Sequence, residues 1–192
     1  GLVVALQSAA GLGRFEAGHL LPDVASASMV REVLPLLVGL LLAGRIGAAV
    51  AAEMGSYSLS GQVAALRLLG RQPAPFLAAP LLWAVAFVVP LATAVGLVAG
   101  VAGLLAGATG VLGLKAALVL EGIQRSVHQR DVVLALGKAV VFGLAIAVAS
   151  YRHGIGPKAD PSELGEGATR GVVEASLAVV LLDCLITHLT HR

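Results

Sequence analysis

The stretch REVLPLLVGLLLAGRIGAAVAAEMG, residues 31–55, has the length and composition of a membrane-spanning helix. Charged residues flank it at Arg31, Glu32 and Glu53, but Arg45 lies inside the apolar run. An ionisable side chain at the bilayer centre costs about 2.5–3.5 kcal/mol on insertion scales. We therefore expect Arg45 to have a polar partner within a helix bundle, and a buried ion pair that only fixes packing is as reasonable as a functional role.

The composition extends this interpretation to the whole chain. Of the 192 residues, 58% are hydrophobic and 12% are charged, whereas soluble domains have about 45–50% apolar and about 25% charged residues. The formal net charge of +2 is too small to indicate a nucleic-acid partner. The single cysteine, Cys184, excludes a disulfide within the sequence given. These features predict an all-α polytopic membrane protein.

Four apolar runs are long enough to be full membrane spans. The second of them is long enough to cross with a tilt or with a break at Pro90. About ten apolar residues follow Gly1, which are too few to cross a bilayer and lack a signal-peptide pattern. We expect them to be the end of a helix whose start is missing. The predicted full spans are Met29–Met54, Phe76–Ala106, Val132–Ser150 and Val172–Leu189.

Small residues recur every fourth position along the first full span. This spacing lets helix backbones approach closely in membranes, so we expect one face of the helix to be tightly packed. Arg45 points to the opposite side, and Arg31 and Glu53 fall roughly with it, which predicts a structural charge network on a second occupied face. The packing residues are Gly39, Ala43, Gly47, Ala51 and Gly55.

The sequence GSYSLSGQVAALRLLGRQPAP, residues 55–75, predicts a short amphipathic helix at the membrane surface. Ser58 or Ser60 can cap its start and Gly70 can end it. An ordinary interfacial loop helix is the alternative. The apolar face carries Leu59, Val63 and Leu66, and the polar residues off that face are Gln62 and Arg67.

Two further stretches connect the later spans. Residues Val111 to Leu120 could form a small surface helix, and residues 151–170 are rich in Gly, Pro and charge, as in a loop. Lysine and arginine are equally frequent in the loops on the two sides, so the positive-inside rule gives no orientation.

The sequence carries no pattern typical of catalysis or of metal binding. Phosphate-binding loops, HExxH, GxSxG and CxxC are all absent. His188 and His191 could share a helix face, but two histidines without a third ligand are more often polar terminal residues. We therefore expect neither an enzyme nor a metal site.

Two more charges lie within the later spans, Lys138 and Asp183. Lys138 lies about two turns inside its span and could extend its ammonium to the surface instead. Asp183 lies deeper and should be protonated, paired or facing water. Together with Glu32, they form a possible polar lining for a transport pathway.

Residues 31–55 closely resemble the signature of MlaE-type permeases, the membrane subunits of bacterial ABC transporters that carry lipids with MCE-domain proteins. The family pattern is close to R-E-x-G-P followed by A-G-R-x-G-x-x-x-x-A-E-x-G. A second stretch resembles Q-x-x-A-L-x-x-x-G-x-x-P, and GKAVVFGLAIA and GATRGVVEASLAVVLLD resemble the openings of the last two spans. The matching positions are Arg31, Glu32, Pro35, Ala43, Gly44, Arg45, Gly47, Ala52, Glu53 and Gly55, then Gln62, Ala65, Leu66, Gly70 and Pro73.

The resemblance implies one permease domain over residues 1–192, with an N-terminal interfacial helix and five spans, the first of them truncated here. Residues 57–71 would be a cytoplasmic coupling helix. Gly61 and Ala64 stand where the family usually has acidic residues, so we expect ATPase contact to depend on packing and on basic residues. The implied coupling residues are Leu59, Gln62, Val63, Leu66, Arg67 and Arg71.

The resemblance further implies a permease of the bacterial inner membrane that moves phospholipids or related lipids to or from an MCE-protein conduit. Its implied partners are a second permease copy, as a homodimer or heterodimer, and cytoplasmic ATPase subunits that hold ATP and Mg. This chain itself would hold no cofactor. Two alternatives stay open: a structural or assembly subunit of the same complex, and a secondary transporter with Asp183 or Glu32 as a proton relay.

Overall fold

The computed structural model describes residues 1–4, 6–7, 21–156 and 160–190. Over these ranges it is helical and contains no strand. A π-helical turn, Met29–Val33, joins α1 to α2. The helices are α1 (Leu21–Ser28), α2 (Leu34–Leu59), α3 (Gln62–Leu68), α4 (Pro73–Gly110), α5 (Ala116–Ser126), α6 (Gln129–Gly154) and α7 (Ser162–Thr190).

Within the described ranges, four helical stretches are long and apolar enough to cross a membrane. The prediction of an all-α polytopic membrane protein is therefore confirmed. The expected end of an earlier span falls partly on residues 5 and 8–11, and His191 lies at the other end of the chain; these positions are outside the described residues. The four stretches are Pro22–Leu59, Pro73–Gly110, Gln129–Gly154 and Ser162–Thr190.

Helix α4 is continuous over 38 residues, although Pro80 and Pro90 lie inside it. At 1.5 Å per residue it is about 57 Å long, nearly twice the hydrocarbon core of about 30 Å. The break considered at Pro90 is therefore absent. Proline removes only one N–H from the helix, and membrane helices tolerate this loss where neighbouring groups satisfy the freed carbonyl.

Helix α7 begins at Ser162, about ten residues before the predicted span. Glu163 lies in its first turn, where a negative charge complements the helix dipole. Glu166 and Arg170 then form an ion pair one turn apart, with 3.6 Å between Oε2 and Nη2. Much of the stretch predicted as a loop is therefore helical, because these local charge contacts support a helix outside the apolar run.

Helix α3 starts differently from the prediction and ends at the predicted place. Neither serine caps it: the Ser58 hydroxyl donates to the Ile155 carbonyl at 3.1 Å, and Gly61 precedes the helix with φ +76°, a conformation that favours glycine. At the other end Gly70 has φ +70° and its N–H donates to the Arg67 carbonyl at 3.0 Å. This is the glycine-terminated helix end that the sequence predicts.

The contacts divide the chain into two units, and the first comprises residues 1–35 and 92–137. In it α1 packs against α5, where the Ser26 and Ser126 hydroxyls lie 2.7 Å apart. A Cβ on Gly122 would fall 2.5 Å from Cβ of Pro22, so a glycine is required for this approach. The buried core residues are Ala25, Met29, Val30, Leu34, Leu97, Leu104 and Ala135.

The second unit comprises residues 36–91 and 138–192. Phe142 is its largest fully buried side chain. A Cβ on Gly39 would lie 3.0 Å from the Phe142 ring and 3.0 Å from Val179, so the glycine makes room for both side chains. The buried core residues are Ala43, Val85, Val89, Ala139, Phe142, Ile146, Ala147, Ala149, Ala175 and Val179.

Candidate functional site

A buried ion pair joins α6 to α7 in the second unit. The Lys138 ammonium donates to Oδ1 of Asp183 at 3.0 Å and to the hydroxyl of Thr187 at 2.8 Å. The lysine side chain is only 5% exposed and that of the aspartate 12%. Lys138 therefore ends inside the protein and does not extend to the surface, which was the alternative considered from the sequence.

This arrangement explains how two charges are accommodated within apolar helices. Each charge is neutralised by the other, and Thr187 satisfies a further N–H of the ammonium. The helices run antiparallel, so Lys138, near the start of α6, meets Asp183, near the end of α7. Glu32, the third residue of the predicted polar lining, belongs to the first unit.

A second ion pair lies in the first unit, between the π-helical turn and the start of α6. Arg31 approaches Asp131 with two nitrogens, Nε at 3.0 Å from Oδ1 and Nη2 at 3.1 Å from Oδ2. The backbone N–H of His128 also donates to Asp131 at 2.9 Å. Of the two Arg31 contacts, that of Nη2 has hydrogen-bond geometry, so one charged hydrogen bond and the close approach of Nε hold the pair together.

The predicted charge network of Arg31, Arg45 and Glu53 is distributed over separate contacts. Arg31 bonds Asp131, and Glu53 accepts a hydrogen bond of 2.8 Å from the Tyr57 hydroxyl one turn later. Arg45 is exposed on α2 and forms no ion pair with any residue that the structure describes. The partner expected for Arg45 inside the bundle is therefore not found within the described chain.

The five small residues predicted to pack are all buried on one side of α2. Gly47 lies where an added Cβ would meet the Ser150 hydroxyl at 3.3 Å and Val172 at 3.7 Å. Ala51 in turn lies beside Gly171 of α7 and Gly154 of α6. The described residues leave the opposite face of α2 exposed. The buried residues are Gly39, Ala43, Gly47, Ala51 and Gly55.

The surface of α3 differs from the predicted amphipathic pattern. Val63 is 5% exposed and is therefore covered by its own chain. Leu68 and Leu69, which are not among the predicted coupling residues, are 89% and 74% exposed. Exposed leucines at the end of a helix between two spans are accessible to another molecule, whereas the buried Val63 is not. The other predicted coupling residues are exposed or half-buried: Leu59, Gln62, Leu66, Arg67 and Arg71.

Three residues of these sites were missed by sequence reasoning. Asp131 and Thr187 are polar residues near the helix ends, where such residues are ordinary. Glu174 lies in α7 and accepts a hydrogen bond of 3.0 Å from Nη1 of Arg152; it also contacts Nε2 of His153. Their side-chain partners Arg31, Lys138 and His153 are 21 to 100 positions away, and no local pattern signals such a separation.

The described residues contain no cluster of three or more His, Cys, Asp or Glu side chains that could hold a metal ion. The buried charged groups of the two ion pairs, Lys138 with Asp183 and Arg31 with Asp131, lie on or beside the membrane-spanning helices. Such an arrangement can fix helices and can form part of a path for a polar group through a membrane.

Comparison with known proteins identifies the family. The model of the MlaE permease family, described as Permease MlaE, matches residues 1–189. The chain belongs to this family. It is 33% identical over 192 residues to a probable ABC transporter permease protein of Rickettsia typhi, covering the whole chain and 74% of the relative. The family resemblance seen in the sequence is therefore confirmed, and the chain is a multi-pass permease of an ABC transporter.

Two further relatives have more specific names. The intermembrane phospholipid transport system permease protein MlaE of Haemophilus influenzae is 29% identical over 188 residues, which are 97% of this chain and 72% of the relative. The chloroplastic protein TRIGALACTOSYLDIACYLGLYCEROL 1 of Arabidopsis thaliana is 27% identical over 187 residues, 97% of this chain and 53% of the relative. Permeases of this kind form the membrane part of an ABC transporter and are generally not catalytic.

Proposed function

We propose that this permease moves phospholipids or related lipids between the bacterial inner membrane and an MCE-protein conduit. The observation that carries the proposal is the similarity, over 97% of the chain, to a permease named for intermembrane phospholipid transport. The membrane-spanning helices and their internal ion pairs suit such a role, because a lipid path needs polar groups at membrane depth. ATP and Mg would be bound by separate ATPase subunits.

A second permease copy belongs to the proposal, and the open face of α2 supports it. Arg45 lies about 21 Å from the end of α2 at Leu59, at 1.5 Å per residue, and is therefore deep within the span. Leu37 and Leu41 extend the same exposed face at four-residue spacing. A guanidinium at this depth is costly against lipid, so a second copy that covers the face would supply its partner.

Contact with the ATPase would be made by α3 and the residues that follow it. Leu68 and Leu69 provide the apolar surface, and Arg67 and Arg71 provide charge at its edge. Apolar anchors carry most of the affinity of such a contact, whereas edge charges mainly affect association rate and salt dependence. Val63 would act within its own chain, by holding α3 in place.

Purification of the complex under native conditions tests this proposal against its alternatives. We expect an ATPase, an MCE-domain protein and two permease copies to co-purify, and lipid movement to require ATP hydrolysis. An intact complex whose lipid movement does not depend on this subunit would indicate a structural or assembly role. Transport driven by a proton gradient without ATP would indicate a secondary transporter.

A further inference from the structure

A groove of about 490 Å³ lies along the outer face of α7, apart from the ion pair between Lys138 and Asp183. Three exposed apolar side chains, Val173, Leu177 and Leu181, line it at four-residue spacing. Residues four apart lie above one another on a helix, so these side chains form one continuous apolar strip. The described residues leave this strip uncovered.

One end of the groove is charged. Arg170 and Glu174 line it from α7 and His153 lines it from α6. Arg152 pairs with Glu174, and Arg170 pairs with Glu166 at 3.6 Å. Both arginine side chains remain 68% exposed. A guanidinium has five N–H donors, so each keeps donors for a further ligand.

The length of the groove corresponds to one leaflet of a bilayer. Arg170 and Leu181 are eleven residues apart, or about 16 Å along the helix at 1.5 Å per residue. Half of the hydrocarbon core measures about 15 Å. The charged end and the apolar strip together are therefore about as long as one acyl layer, with about 12 Å from Val173 to Leu181, within a helix that qualifies as a membrane span.

The charges at the end of the groove fit one class of headgroup better than others. The two arginines are balanced by the two glutamates, so an anionic headgroup would gain little from the net charge. A headgroup with both a phosphate and a primary ammonium matches this arrangement. Its phosphate would bind Arg170 in the planar two-point geometry of guanidinium, and its N–H groups would donate to the Glu174 carboxylate.

We propose that this groove binds one aminophospholipid of the surrounding bilayer. Its headgroup would bind Arg170 and Glu174, and an acyl chain would lie along Val173, Leu177 and Leu181. The site stands independently of the proposed transport function, because a lipid can occupy it without being moved.

Photo-crosslinking tests the proposal in the full complex reconstituted into nanodiscs. The probe is phosphatidylethanolamine with a photoreactive acyl chain, and the readout is the amount attached to residues 162–190 after proteolysis. We expect unlabelled phosphatidylethanolamine to compete at least tenfold better than phosphatidylglycerol or phosphatidylcholine. Leu177→Trp, which fills the groove, should reduce labelling at least tenfold.

Matched variants separate the site from general lipid contact. Val180→Trp adds the same ring to α7 at an exposed position outside the groove lining and should leave labelling unchanged. Arg170→Gln should remove most of the headgroup preference. Equal competition by all three lipids would overturn the proposal, since only unselective boundary lipid would then be present. If the wild type is not labelled and two copies crosslink through α7, the proposal is overturned, because a second copy then covers this face of α7.

Discussion

Replacement of Lys138 by methionine should destabilise the permease strongly, because it leaves the Asp183 carboxylate without its partner. The pair is buried, with 3.0 Å between Nζ and Oδ1 and side-chain exposures of 5% and 12%. Removing one partner of a buried pair costs about 3–5 kcal/mol. The bond to Thr187, at 2.8 Å, adds about 0.6 kcal/mol on average for membrane proteins, with a maximum of about 1.7.

The expected loss, about 3.6–5.6 kcal/mol with the average value for the Thr187 bond, corresponds to a decrease of about two and a half to four orders of magnitude in the folding equilibrium constant, at 1.4 kcal/mol per factor of ten. The assay is equilibrium unfolding of the purified permease in mixed micelles with increasing denaturing detergent. Lys115→Met is the matched control, since Lys115 is exposed ahead of α5, and it should change stability by less than about 0.5 kcal/mol.

The double variant Lys138→Met with Asp183→Leu separates a structural role from a role in the pathway. Replacing both charges with apolar groups of similar size is often neutral or stabilising, so most of the lost stability should return. A single variant as stable as the wild type would refute the reasoning, because the carboxylate would then have to be solvated. A stable double variant that has lost lipid transfer would instead assign the pair to the pathway, as the sequence predicts.

Three further predictions concern other parts of the chain. Gly39→Leu should lower stability by about 1–3 kcal/mol by overpacking. Gly44→Leu should cost little, because a Cβ added at Gly44 would have nothing within 4 Å. Equal shifts in melting temperature for the two variants would contradict the packing described. Arg31→Gln should lower stability by about 1.5–3 kcal/mol through loss of its charged hydrogen bonds. Arg130→Gln, at an exposed position, is the control. Equal melting temperatures for the two variants would show that the pair with Asp131 does not stabilise the fold. Leu68→Asp should reduce lipid-stimulated ATPase activity of the complex without affecting the fold, because Leu68 is exposed. Unchanged ATPase activity would show that the ATPase contacts another part of the chain.

The spans could be predicted because a bilayer imposes its own thickness on the sequence. About 20 apolar residues are needed to cross, so apolar runs locate the membrane helices without knowledge of their neighbours. Apolar runs do not locate the helix ends. Helix α7, for example, extends to Ser162 through a charged segment supported by the pair Glu166 and Arg170. Local charge contacts of this kind are compatible with a loop as well as with a helix.

The candidate sites could be predicted only in part. A charge in an apolar run marks Lys138 and Asp183 as unusual, but Thr187 gives no signal until the two helices are placed side by side. The periodicity of α2 puts Arg45 opposite the packing residues, which agrees with its exposure. What covers an exposed face depends on neighbours outside the chain. Periodicity cannot supply that information.

The most direct test of the proposed function is lipid transfer by the reconstituted complex. Proteoliposomes containing this permease with its ATPase subunits and MCE-domain protein are mixed with acceptor vesicles, and movement of a fluorescent phospholipid is followed over time. The proposed function predicts transfer that requires ATP hydrolysis and stops when a non-hydrolysable ATP analogue replaces ATP. Transfer at the same rate without ATP, or undiminished transfer by a complex assembled without the permease, would contradict it.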